Sequence, residues 1–221
     1  RLIEFIKKNT FLIGNKTENT WKRRHMHILK ELKAYIINSL IKILTKLQKL
    51  IQKLSKPEPK INDQDMEMIR LTIKDGDTIL SYESWRLTAP FIPGKYKHAA
   101  IYLNGKVYEA LDVGVRAISL ERFVLTKDLI AICRPDFEPM LNYSAMYEAA
   151  DSFVGLPYDY EFSTHDQKAF YCSELCLNLY DIGYKAHTGK ETNIVLLERV
   201  GKMTIVPQDF YDMTQSSKQK F

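Results

Sequence analysis

Three residues in this chain have the types and placement for nucleophilic chemistry: Cys172, His98 and Glu109. Cys172 opens a run that reads as a helix, Cys172 to Asp181, just after a polar loop. A helix start carries partial positive charge and free backbone N–H groups, and both favour the thiolate, the nucleophilic form of cysteine. His98 heads a strand-like run that ends at Leu103, and Glu109 lies in the next one, Lys106 to Ala110. A histidine that takes the thiol proton and a carboxylate that fixes its tautomer would complete a catalytic set. The backbone N–H of Cys172 is a candidate donor to the oxyanion of a tetrahedral intermediate.

The elements around these residues decide whether they meet. Asn104-Gly105 between the two strand-like runs predicts a two-residue type I′ hairpin, in which Leu103 pairs with Lys106. That register sets Glu109 opposite Ala100, a diagonal neighbour of His98 on the same sheet face and within side-chain reach. Asp112 is the fallback carboxylate. His165, in the polar tract Ser163 to Lys168, is the competing histidine. His25, His27 and His187 sit in basic or polar stretches and read as surface. Cys133, in the apolar run Leu129 to Cys133, reads as a small buried hydrophobe. Cys176 shares a helical face with Cys172 and reads as core. A CxxxC pair without further ligands nearby is poor evidence for zinc, so no metal and no cofactor are expected. Asp77 is expected to close the turn before its strand, and Glu174 to stabilise the start of the cysteine helix.

The remaining pattern is α+β: a small antiparallel sheet with packed helices. Strands are expected at Thr78–Tyr82, His98–Leu103, Lys106–Ala110, Val115–Leu120 and Leu129–Arg134. A helix is expected over Tyr143–Val154, ended by Gly155-Leu156-Pro157. Thr204 to Asp209 reads as a final strand and turn. Ahead of this region, Trp21 to Leu54 has apolar residues at steps of three or four from Leu29 to Leu54, with no Gly or Pro, which predicts one long helix. Ser55 to Lys60, with Pro57 and Pro59, cannot continue it and marks a boundary. The chain is thus read as a basic helical segment, 1–60, followed by a catalytic domain, 61–221.

Charge divides at the same place. Residues 1–60 hold 15 Lys and Arg against 4 Glu, and residues 61–221 hold 17 against 23 Asp and Glu. The apolar stripe of the long helix has three readings: it packs on the catalytic domain or in a helical hairpin, forms a coiled-coil seam with a partner helix, or lies on an anionic membrane surface. No reading motif or stacking platform supports nucleic-acid binding. No run is long and apolar enough to span a membrane, and Phe11 to Gly14 is too short for the core of a signal peptide, so the expectation is a soluble or membrane-peripheral protein. The first residue is Arg1, and the reading allows for a lost upstream signal.

Five strings in order, Gly76-Asp-Thr-Ile-Leu80, His98-Ala-Ala-Ile-Tyr102, Val107-Tyr-Glu-Ala110, Gly155-Leu-Pro-Tyr-Asp159 and Tyr171-Cys-Ser-Glu-Leu175, resemble the circularly permuted NlpC/P60 cysteine hydrolases, and within them the YiiX/YebB-like subgroup. The chain order His, acid, Cys reverses that of papain and agrees with the permutation. The resemblance covers roughly residues 70–210 and implies a permuted papain-like fold, preceded here by the long basic amphipathic helix. It implies hydrolysis or transfer at an amide or ester, with Cys172 as nucleophile, His98 as base and Glu109 orienting it. Tyr158 and Asp159 match the family's Pro-Tyr-Asp stretch and are candidates to line the substrate cleft. The expected substrate is an amide: a peptide, a cell-wall peptide or an isopeptide. The alternatives are lipid acyl hydrolysis or transfer at a membrane surface, and a non-catalytic papain-like binding module.

Overall fold

The computed structural model describes residues 18–54, 60–162, 167–194, 196–199 and 202–218. Pro57-Glu58-Pro59, His165 and Phe11–Gly14 lie outside the described residues. In chain order the helices and strands are α1 (Glu18–Leu54), α2 (Asp63–Thr72), β1 (Thr78–Tyr82), β2 (His98–Leu103), β3 (Lys106–Leu111), β4 (Gly114–Ser119), α3 (Leu120–Val124), β5 (Leu129–Cys133), α4 (Tyr143–Phe153), α5 (Cys172–Thr188), β6 (Leu197–Arg199), β7 (Lys202–Thr204) and α6 (Pro207–Lys218).

Five strands form an antiparallel sheet in the order β4-β3-β2-β1-β5. Alternation along each strand sends successive side chains to opposite faces. Leu80, Ala99, Ile101, Leu103, Tyr108 and Ala110 pack with α4 and α5 through Met146, Ala150, Leu175, Cys176 and Leu179. Ile79, Ala100, Val107 and Ile118 face the other way, onto α3 and Ile69 of α2. Leu103 pairs with Lys106 across Asn104-Gly105, whose φ angles of 49° and 76° supply the left-handed pair that a type I′ turn needs. Asp77 closes its turn by accepting from Lys74 N (2.8 Å), and it also receives two hydrogen bonds from Arg134 (2.8 and 2.7 Å).

Two expectations are corrected. Thr204 to Asp209 is not a strand and turn, because the strand ends at Thr204 and Pro207 starts α6. Pro at a first helical position forfeits no helix bond, and the Asp209 carboxylate accepts from Val206 N (2.8 Å) ahead of the helix. The second correction concerns α1. Among its described side chains Ile41 and Gln48 are the buried ones, each 9% exposed, whereas Leu40, Ile43, Leu47 and Leu50 of the apolar stripe are 43–61% exposed. The face that docks on the domain is therefore not the apolar stripe. Gln48 Oε1 accepts from Leu87 N (2.9 Å), and a polar side chain satisfied in this way is what allows the mixed face to be buried.

A buried ion cluster ties β1 to the segments beside the sheet. Glu83, just past β1, takes Arg86 on one carboxylate oxygen and Lys127 on the other. Burial pushes the Glu83 pKa up, but the Arg86 and Lys127 charges outweigh it and hold the carboxyl at about 2, against an ordinary value of 4.5.

Two stability effects follow from this packing. Gly114 has φ +99°, and a Cβ there would lie 2.4 Å from the Leu156 carbonyl oxygen. Gly114→Ala is expected to cost more than ~1 kcal/mol in chemical denaturation. Glu83→Gln leaves two cations without their counter-charge and is expected to cost about 3–5 kcal/mol at neutral pH. A depressed carboxylate pKa contributes stability above the unfolded value and loses it as pH falls through the folded one. The gap between wild type and Glu83→Gln is therefore expected to shrink from pH 4.5 down to about 2. Equal denaturation midpoints at neutral pH would contradict the cluster's role.

Candidate active site

Cys172 is the first residue of α5, and Tyr171 is its extended N-cap residue (φ −91°, ψ 166°). Glu174 Oε2 accepts from Tyr171 N (3.3 Å), which fixes the helix start and places a carboxylate at its positive end. The helix holds Cys172 at the head of β2, so the thiol meets both His98 and the backbone of Ala99. Ser173 Oγ lies 3.8 Å from its sulfur. Cys172 is buried, at 6% exposure, and His98 is still more buried.

The register of the β2–β3 hairpin brings the second contact. His98 Nε2 and Glu109 Oε2 are 2.7 Å apart. An ionised carboxylate only accepts, so Nε2 carries the proton and donates it, which leaves Nδ1 for the thiol. Arg116 lies directly opposite Glu109 on β4 and donates to its other oxygen through Nε (2.9 Å) and an Nη (2.6 Å). The imidazole stacks on Phe123 of α3, with centroids 6.0 Å apart. Both Glu109 oxygens are thus engaged, and the ring is held by packing as well as by hydrogen bonding.

Burial opposes charge at each member, and the partners overcome it. Burial raises the Glu109 pKa, but the hydrogen bond to His98, then the charges of His98, Lys127 and Arg116, hold it well below the usual carboxylate range. Burial lowers the His98 pKa, and the hydrogen bonds to Cys172 and Glu109 more than restore it, leaving it above 6.5. Burial raises the Cys172 pKa, and the hydrogen bond and charge of His98 bring it below 9.0. The set thus favours a thiolate beside an imidazolium, backed by a carboxylate.

The cleft over the thiol is lined by Cys172, His98, Arg86, Lys97, Asp112 and Tyr158, together with Ile41, Thr45 and Gln48 of α1. It has a volume of about 50 Å³. Tyr158 is thus placed in the cleft, where burial, and then the Cys172 charge, raise its pKa well above 10.0. The Asp159 carboxylate accepts from Glu161 N (2.7 Å) and its backbone N–H donates to Phe170 O (3.1 Å). Asp112 lies at the cleft wall, but the carboxylate that meets the imidazole is that of Glu109. Cys176 is in the core, its pKa pushed well above 9.0 by burial, and Cys133 is buried in the same core cluster. His25, His27 and His187 are exposed. Among the described residues, no group of three or more His, Cys, Asp or Glu is arranged to hold a metal ion.

Sequence reasoning missed Arg86, Lys97 and Arg116. Arg116 was within reach, because carrying the hairpin register on to β4 sets it opposite Glu109. Arg86 lies in a loop without a local pattern, and only the fold shows that its Glu83 partner is buried beside the site. Lys97 precedes His98 directly, and its ammonium donates to the carbonyls of Ile92 and Gly94 (2.5 Å each), bracing the loop that leads into β2.

Comparison with curated proteins gives no match. A solved structure similar to this chain is that of the metalloprotein yiiX from Escherichia coli O157:H7, at 19% identity and a TM-score of 0.47, covering 63% of this chain and 92% of that one. Residues 72–218 match the family of permuted papain-like amidase enzymes, YaeF/YiiX, known as C92. That match spans most of the chain and includes every strand among the described residues, helices α3 to α6 and Cys172, His98 and Glu109, and so the chain belongs to the permuted papain-like amidase family C92.

Proposed function

We propose that this amide hydrolase works through a Cys172 thioester, with His98 as the proton carrier and Glu109 as the positioning carboxylate. The observation that carries the reading is the His98 imidazole held between Glu109, at 2.7 Å, and a thiol on the first residue of a helix. The Cys172 sulfur attacks the substrate carbonyl carbon, and the C=O π electrons move to oxygen. The Cys172 N–H, which has no carbonyl partner within its own helix, faces the developing charge. Collapse expels the amine, which takes its proton from His98. A water then gives a proton to His98 and attacks the thioester, releasing the acid and regenerating the thiolate. Arg86 and Lys97 add positive charge to the cleft wall, and Tyr158 adds an aromatic face to its lining.

The substrate we favour is a peptide, cell-wall peptide or isopeptide amide. A lipid acyl hydrolase or acyltransferase is the second reading. One observation favours it: the helix that walls the cleft also carries an exposed apolar stripe.

Cys172→Ala is expected to abolish turnover with little change in stability, whereas Cys133→Ala and Cys176→Ala keep the active-site reactivity. His98→Ala is expected to lower turnover by about 10²–10⁴, the usual worth of general acid–base catalysis, with a smaller loss for Glu109→Gln. Mass spectrometry of the enzyme quenched with an activated acyl probe is expected to show the acyl group on Cys172. An adduct on Cys133 or Cys176, or normal turnover by His98→Ala, would overturn the assignment.

A further inference from the structure

Helix α1 presents two different faces, and the two together imply a job. Ile41, Thr45 and Gln48 form part of the cleft wall, and Lys42 Nζ lies 5.2 Å from the centre of the Tyr160 ring, another lining residue. With α1 in place, the cleft holds only about 50 Å³. Sites that take small organic ligands measure about 300–1,000 Å³. That space is small for a peptide or acyl amide, and α1 is one of the walls whose displacement would enlarge it.

The other face is not used by the domain. Residues of an α-helix turn by about 100° each, so the line of Leu29, Ile36, Leu40, Ile43, Leu47 and Leu50 lies roughly 140° around the axis from Ile41, Thr45 and Gln48. These six side chains are 43–61% exposed. From Leu29 to Leu50 they mark out a stripe about 32 Å long. A continuous exposed apolar stripe of this length marks an interaction surface. Its surroundings are strongly basic: α1 carries nine Lys and Arg against two Glu, and Lys42 and Lys46 are exposed on one flank. A second copy of the same helix would bring like charges together. An anionic bilayer offers the opposite charge and an apolar layer for the stripe. The family match begins at residue 72, so α1 is an addition to the catalytic module.

We propose that α1 is a lid over the catalytic cleft whose exposed stripe docks on an anionic lipid bilayer, and that docking moves the lid off the cleft. In the closed form the Leu87 N–H is bonded to Gln48 Oε1 at 2.9 Å. Hydrogen exchange at Leu87 therefore reports the lid without relying on which residue is the nucleophile. That separates a failure of this proposal from a failure of the catalytic reading.

The test uses the full chain with two vesicle types, pure phosphatidylcholine and phosphatidylcholine mixed with phosphatidylserine. Co-sedimentation is expected with the mixed vesicles and not with the neutral ones, and it is expected to weaken at high salt. Exchange in the peptide that contains Leu87 is expected to speed up about tenfold or more when the mixed vesicles are added. The double variant Ile43→Gln, Leu47→Gln keeps the helix and the inward face. It is expected to show the wild-type exchange rate without vesicles and no binding or acceleration with them. No co-sedimentation with mixed vesicles, equal binding to neutral ones, or binding without faster exchange at Leu87 would each overturn the proposal. A dimer in sedimentation equilibrium that the double variant abolishes would overturn it in favour of a second copy as the occupant of the stripe.

Discussion

The contact on which the site depends is the buried hydrogen bond between His98 and Glu109. A carboxylate at 1% exposure is costly unless its charge is answered on every side, and here His98 takes one oxygen and Arg116 the other. That requirement reaches outward. Arg116 meets Glu109 only because β4 runs antiparallel to β3 in one register, and His98 meets it only because Asn104-Gly105 turns in two residues. A slip of one residue in either hairpin would turn its strand over and leave Glu109 buried without its partners. The polar site therefore specifies the register of the sheet, while the apolar residues beside it supply most of the burial.

The thiol comes from the other side of the same design. Tyr171 and Glu174 set the first turn of α5, and the apolar run Leu175, Leu179 and Tyr180 seats that helix on the sheet. Cys172 is then carried to the head of β2 by the packing of a whole helix, so its approach to His98 needs no mobile loop. Burial opposes charge on the thiol, and the hydrogen bond and charge of His98, the Ala99 backbone and the helix end bring its pKa below 9.0 in spite of it. The same burial pushes the Cys176 pKa well above 9.0 one turn along the helix.

Much of this was legible in the residues. The Asn-Gly turn and the alternation in the strands were enough to pair His98 with Glu109, because each signal is local, whereas the meeting of Cys172 with that pair was implied only by the family resemblance. The capping pair Asn62 and Asp65 that starts α2, and Pro207 at the start of α6, were also local, but they stand where short apolar runs gave little periodicity to support them. The buried Glu83–Lys127 pair was not legible, since its members lie 44 residues apart, and Arg86, three residues from Glu83, joins them around a site that only the folded sheet creates. The docked face of α1 failed for a different reason. An apolar stripe is ordinarily the buried face of a helix, and here the domain takes Ile41, Thr45 and Gln48 and leaves the stripe to solvent.

The central claim is that His98 holds Cys172 as a thiolate. The most direct measurement is the ultraviolet absorbance of the thiolate as a function of pH, taken as the difference between the wild-type protein and Cys172→Ala. A lowered cysteine pKa means that the thiolate is present above that value and lost as pH falls through it, while a raised histidine pKa keeps the imidazolium until pH rises past it. The account predicts a Cys172 thiolate signal that persists well below the ordinary thiol value of 9.0 and moves to higher pH in His98→Gln. A signal that develops only near or above 9.0, or one that His98→Gln leaves in place, would contradict it.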